Sequence, residues 1–153
     1  MKSLLFTLFL IPVLLFSQEI TIEHVNNYTS IKTIGGRDIT FGVKETVEEI
    51  LVKQGYTLND STGMVVQVSI DSITSPHQVL NIIGMKWLKK DYIVQTSICI
   101  GTGCFTGTGK RTAYVFAAFL DVENNEVPLN KKSFSKALQS SLEDASQFKQ
   151  TTE

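Results

Sequence analysis

What most limits the fold of this chain is the placing of its two helix-like stretches on either side of a nearly unbroken series of strand-like ones. In the first stretch Val43, Val47, Ile50 and Leu51 recur at helical spacing, with Glu45, Glu48, Glu49 and Lys53 on the opposite side. Gly55 stands where a helix takes a left-handed cap, and Tyr56 follows where it folds back on the last turn. In the second stretch Leu138, Leu142, Ala145 and Phe148 mark one face of a terminal helix that Ser135 is placed to cap. Each helix has one apolar face, so each needs a surface to cover.

The segments around and between them supply that surface. "EITIEHV" alternates Ile20, Ile22 and, less regularly, Val25 with polar residues, as a half-buried strand does. In "GMVVQVSIDSIT" the expected buried set is Val66, Val68, Ile70 and Ile73, with Asp71 and Ser72 exposed near a bend. "DYIVQTSICI" and "RTAYVFAAFLDV" are rich in β-branched and aromatic residues, and "VENNEV" reads as a turn into a short strand from Val127 to Ser133. Consecutive strands joined by turns imply an antiparallel sheet. The expected fold is a two-layer α+β sandwich: an antiparallel sheet of four to five strands with both helices on one face.

The start of the chain fits a different role. Lys2, the apolar run Leu4 to Phe16 and the small residue Ser17 have the layout of an export signal. The run is shorter than a membrane span, and Pro12 interrupts it. Residues 1–17 are therefore expected to be a cleaved signal peptide, and 18–153 a single domain of about 135 residues, enough for one core. The expected location is periplasmic or secreted. Fourteen Lys and Arg against fifteen Asp and Glu, thirteen against fifteen once Lys2 is removed, give no reason to expect nucleic acid as a partner.

"SICIGTGCFTGTGKR", Ser97 to Arg111, holds both cysteines and four glycines. It fails as a Walker loop, because Cys104 stands at the first glycine position and Arg111 at the Ser/Thr position. The dinucleotide fingerprint fails as well, since Thr106 and Thr112 stand at its third glycine, and no helix start follows. A structural zinc needs four ligands; Cys99 and Cys104 are the only cysteines, and His24 and His77 lie far away in sequence. Neither metal nor other cofactor is expected. Two geometries stay open. A reversal over "IGTG" sets Cys99 opposite Cys104 for a disulfide, whereas a strand running on to a turn at Gly107 to Gly109 sends residues five apart to opposite faces. Gly101 and Gly103 weaken strand continuity and favour the bridge.

The order of "FGVKETVEEILVKQGYTLND", "VVQVSIDSI", "AYVFAAFLDVENNEV" and "SFSKALQSSLEDASQF" resembles the YajG-type class of small periplasmic lipoproteins over roughly Glu19 to Lys53 and Ala113 to Phe148. In that class a helix ending in Gly-Tyr precedes an alternating strand, and a last helix closes the domain. The resemblance implies an envelope protein without known catalysis; related domains occur in outer-membrane assembly and secretion components. The chain departs from the class in having no cysteine after the apolar run to carry a lipid, and in an extended middle section, 76–111.

That section includes "VLNIIGMKWLKK", whose pattern leaves the secondary structure of 78–90 open; on a helix Leu80, Ile83 and Trp87 would share one face with Lys86, Lys89 and Lys90 flanking the ring. These six residues are the candidate contact surface, for a partner or a membrane face, beside the alternative that they complete the core. The leading functional expectation is a non-enzymatic envelope accessory that binds another envelope protein through a sheet edge or this middle section, with peripheral membrane contact compatible with it. The alternative is a binder of a small ligand or lipid between helices and sheet. A third reading, a hydrolase, has only Asp38, Asp60, Asp71 and Asp91 as acid and base, and lone acids in turns are usually capping residues. No catalytic residues are assigned, and oligomeric state is left open.

Overall fold

A computed structural model describes residues 18–34, 36–61, 63–116 and 130–147. The expected signal peptide, the "VENNEV" turn, Val127 to Leu129 and Phe148 lie outside the described residues. In chain order the elements are β1 (Glu19–Asn27), β2 (Thr33–Ile34), β3 (Arg37–Asp38), α1 (Val43–Lys53), β4 (Thr57–Leu58), β5 (Met64–Thr74), β6 (His77–Ile82), β7 (Met85–Ile100), β8 (Gly103–Phe116) and α2 (Lys131–Ala145).

The helical stripe of α1 does what its periodicity requires: Val43, Val47 and Leu51 are buried. The helix stops at Gly55, φ 91°, which lets the Tyr56 N–H turn back to the Leu51 carbonyl at 3.1 Å and bury its ring. The chain then re-enters the sheet beside the strand that preceded the helix. β4 and β5 both run parallel to β1, one on each side, with Ile20 opposite Leu58 and Met64 in turn.

The sheet is therefore mixed, not antiparallel as the run of strands implied. The reason lies in the connection: a helix between two strands carries the chain back to its starting end, so the next strand runs the same way. The remaining pairings, β5 with β7, β6 with β7 and β7 with β8, are antiparallel.

β5 and β6 lie end to end along one side of β7, Thr74 opposite Ile93 and His77 opposite Lys90. Pro76 sits in the gap between them, where its missing N–H removes no ladder bond, and its carbonyl accepts the Asp91 N–H at 2.9 Å. The expected bend near Asp71 is a register shift between Ile70 and Ser72. β8 lies along the other side of β7, paired from Trp87–Phe116 to Ile100–Gly103.

Leu88, Tyr92, Val94, Thr96 and Ile98 of β7 alternate into the interior. Residues of both helices join Ile20, Ile22, Val66, Val68 and Ile70 in one core. α2 lies directly over β8. A Cβ at Gly107 or Gly109 would overlap the carbonyl oxygen of Ser141 or Ala137 respectively, so only glycine lets the helix backbone come so close. The facing residues Ala137, Ser141 and Ala145 are small and four apart, which puts them in one row. Phe134, Leu138 and Leu142 beside them are buried, each contributing about 1.5–3 kcal/mol by leaving water.

α2 begins earlier than Ser135. Asn130 caps it, its side chain accepting the Ser133 N–H at 3.0 Å, so Lys131 to Ser133 are helical and not the end of a strand. The Asn130 N–H donates in turn to the Tyr92 hydroxyl at 2.7 Å, which anchors the start of the helix to β7.

Candidate functional site

The glycine-cysteine stretch has a structural use throughout. Gly101, φ 60°, and Thr102 form a two-residue loop between β7 and β8, and Cys99 and Cys104 are directly opposite and joined by a disulfide, with 4.0 Å between their Cα atoms. Gly107 and Gly109 lie under α2, and Lys110 Nζ sits 3.5 Å from Asp91 Oδ2. The phosphate readings had no helix start to draw on, and β8 supplies none: Gly107 to Lys110 are extended.

Hydroxyls and carboxylates bond across neighbouring strands of the sheet. Asp71 accepts from Ser69 and Ser97, Ser72 donates to Gln95 at 2.8 Å, and Thr112 donates to Asp91 at 2.6 Å. The Thr112 hydroxyl, and with less effect Lys110, hold the Asp91 carboxyl below the usual range. Asp38 has a local task too, accepting from the Thr40 hydroxyl at 2.6 Å and from its N–H, which lowers its pKa. These acids are engaged in turns and cross-strand bonds rather than paired with each other.

Segment 78–90 is a β-hairpin, not a helix. Leu80 faces Trp87, Ile82 faces Met85, and the turn is Ile83-Gly84 with φ 50° and 72°. Both angles are positive, as a type I′ turn requires. For a β-branched residue that conformation costs about 1–2 kcal/mol. Ile83 is nevertheless 91% exposed, so no packing of its own side chain offsets the strain.

Directly paired residues share a face, so Leu80 and Trp87 lie together with Ile82, Met85 and Phe116. The Trp87 and Phe116 rings meet edge to face at 5.3 Å. Trp87 is half-buried and Phe116, Tyr114, Ile82 and Met85 are exposed. Lys89, opposite Tyr114, is on the same face; Lys86 and Lys90 are on the other.

Of the six expected contact residues, then, Leu80, Trp87 and Lys89 share a surface, Ile83 forms its tip and Lys86 lies behind it. Lys90 does not belong to it: only 6% exposed, it sits on the core side near the Tyr92 ring, and burial pulls its pKa down. The sequence reading missed Ile82, Met85, Tyr114 and Phe116. The strand period between Leu80, Ile82, Met85 and Trp87 would have found two of them; Tyr114 and Phe116 arrive only through the β7–β8 register.

A second surface follows β8. The short Cα separation of Cys99 and Cys104 marks them as a close pair without mutual backbone hydrogen bonds, so alternate residues from Cys104 onward turn their N–H and C=O groups away from β7. Thr108 follows that rule, its N–H donating to Asp144 Oδ2 of α2 at 2.9 Å. Among the described residues β8 pairs with β7 alone. Next to this open edge lies a groove of about 550 Å3 lined by Arg111, Thr112, Lys132, Lys136, Gln139 and Glu143, among others.

No protein-family model matches the chain, and no curated protein matches it. Solved structures similar to it include the following. A minor lipoprotein from Acinetobacter baumannii is 15% identical, over 88% of this chain and 89% of that one, with a TM-score of 0.42. The lipoprotein GNA1162 from Neisseria meningitidis is 10% identical, over 77% and 90%, with a TM-score of 0.39. The hypothetical protein CT253 from Chlamydia trachomatis is 8% identical, over 63% and 73%, with a TM-score of 0.38. Likeness of this degree assigns no function.

Proposed function

We propose that this chain is an exported, non-enzymatic accessory of the cell envelope that acts by binding another envelope protein, and that the partner adds an extended segment to the open edge of β8. The compartment rests on the signal-like start, Lys2 to Ser17, and on the Cys99–Cys104 disulfide, which suits an oxidising environment.

The observation that carries the binding reading is the Thr108–Asp144 contact. A carboxylate already occupies one outward N–H of β8, in the place an incoming strand's carbonyl would take. The following outward groups, at Lys110 and Thr112, lie beside Arg111, Lys132 and Lys136, so an acidic segment is the better match.

Cross-linking in the host envelope followed by mass spectrometry tests this with Thr112→Pro and Lys132→Glu/Lys136→Glu. Proline at an outward position removes an N–H directed away from β7 and leaves the β7 ladder intact. Loss of the cross-linked partner in both variants, with the melting temperature within a few degrees of the parent, is expected. Capture unchanged in both overturns the assignment to this edge.

A further inference from the structure

We propose that the Ile82–Met85 hairpin tip inserts into an anionic lipid surface, with the rings behind it at the membrane boundary and lysines reaching the headgroups. This surface is separate from the β8 groove and does not depend on the reading given for it.

The order of chemistry along the ribbon supports the proposal. At the apex stands Ile83, exposed and in a conformation that Asn, Asp or Gly adopts without strain. Behind it come Ile82 and Met85, both exposed, and then Trp87 against Phe116, with Tyr114 one pair further on. At about 3.3 Å per residue, Trp87 is about 10 Å along the strand from Gly84. That matches the depth of about 5–10 Å to which apolar groups of a peripheral protein enter a bilayer, and Trp and Tyr favour the level where the headgroups begin. Lys89, directly opposite Tyr114, stands beyond the Trp87–Phe116 pair, and Lys86, nearer the tip, has a stem long enough to carry its charge outward.

Two features favour lipid over a protein partner at this place. The apolar side chains form the end of the ribbon, with Ile82 and Met85 on one face and exposed Ile83 at the apex, while Asn81 and Lys86 occupy the other face beside the turn and exposed Val79 lies further back, opposite Leu88; such a tip is shaped to enter a layer end-on. Charge agrees: no acidic residue occurs from Pro76 to Lys90 or from Ala113 to Phe116, so among the described residues these two segments carry a net positive charge. No helix among the described residues is long and apolar enough to cross a membrane, and the contact is of the kind that rests on one leaflet.

The test uses the full chain with vesicles of phosphatidylcholine alone or with phosphatidylglycerol added. Trp87, the single tryptophan, is the reporter. Flotation with the anionic vesicles, a blue shift of emission and protection from iodide are expected, with at least tenfold weaker binding for Ile83→Asp and a smaller loss for Lys86→Glu/Lys89→Glu. Asp suits the left-handed turn, so the fold should persist, and near-unchanged melting checks that. Parent and variants are isolated from the host envelope, so the apolar run Leu4 to Phe16 is processed alike in each. Equal binding by the parent and Ile83→Asp overturns the proposal, as does a parent that ignores both vesicles. A parent that ignores lipid but loses a cross-linked protein on Ile83→Asp likewise overturns it and assigns the tip to that protein. Thr112→Pro should leave vesicle binding unaltered, which keeps failure at the tip distinct from failure at the β8 edge.

Discussion

The Ser141 hydroxyl donates to the Gly107 carbonyl at 2.9 Å and in turn accepts from Thr96 at 2.8 Å, which ties α2 to both β7 and β8 at the point where helix and sheet backbones come nearest. Beside this link a Cβ at Gly107 or Gly109 would overlap the backbone of α2. The docking of α2 therefore depends on what is missing at Gly107 and Gly109.

Gly107→Ala and Gly109→Ala should each destabilise the fold by about 1–3 kcal/mol or more, because the added methyl meets helix backbone that has no rotamer to change. Ser141→Ala removes the link without crowding and should cost about 1–3 kcal/mol by leaving a buried hydroxyl unsatisfied. Urea denaturation that ranks Ser141→Ala well below both glycine variants in stability would contradict this account of the interface.

The Cys99–Cys104 bridge should appear as a disulfide-linked peptide in a non-reducing digest of freshly isolated protein. It closes a short loop, so its loss in Cys99→Ser/Cys104→Ser should lower stability by about 2 kcal/mol and leave the hairpin register in place. Two free thiols in the native protein would refute the pairing.

Acid should weaken the fold through carboxylates whose pKa values are lowered. Asp38 and Asp91 are held below 3.8, by hydrogen bonds from Thr40 and Thr112, and Glu49 below 4.5 by its bond to Lys53. Because the folded values are the lower ones, the stability they contribute is fully present above pH 4.5. It declines as the pH falls below 4.5 for Glu49 and below 3.8 for the two aspartates. Thermal melts from pH 6 to 3 should show a smaller acid-side decline for Asp91→Asn than for the parent; parallel curves would mean that Asp91 contributes nothing.

Local features were legible in the sequence where the cause is local. The stripe of α1 and its Gly55-Tyr56 stop are written within a few turns of chain, since helical periodicity and a left-handed cap involve only near neighbours. The pairing of Cys99 with Cys104 was legible for the same reason, as a short Gly-rich loop is enough to bring them together.

What escaped depends on contacts made at long range. Whether β1 pairs parallel or antiparallel is settled by how α1 carries the chain across, and its alternation of Ile20 and Ile22 is the same in either case. Segment 78–90 has Ile83-Gly84 in place of the usual Asn-Gly and lysines beside Met85, Trp87 and Leu88, so neither period stands out until β7 fixes its partners. Gly107 and Gly109 looked like a loop because their purpose belongs to Ala137 and Ser141, some thirty residues further on. The sequence by itself determined the first helix with its stop and the hairpin closure between Cys99 and Cys104, because those depend on torsions and side chains a few residues apart. Only the tertiary structure decided strand direction, the glycine seat of α2 and which apolar residues stay uncovered, because each of these depends on which distant surfaces the packed core brings together.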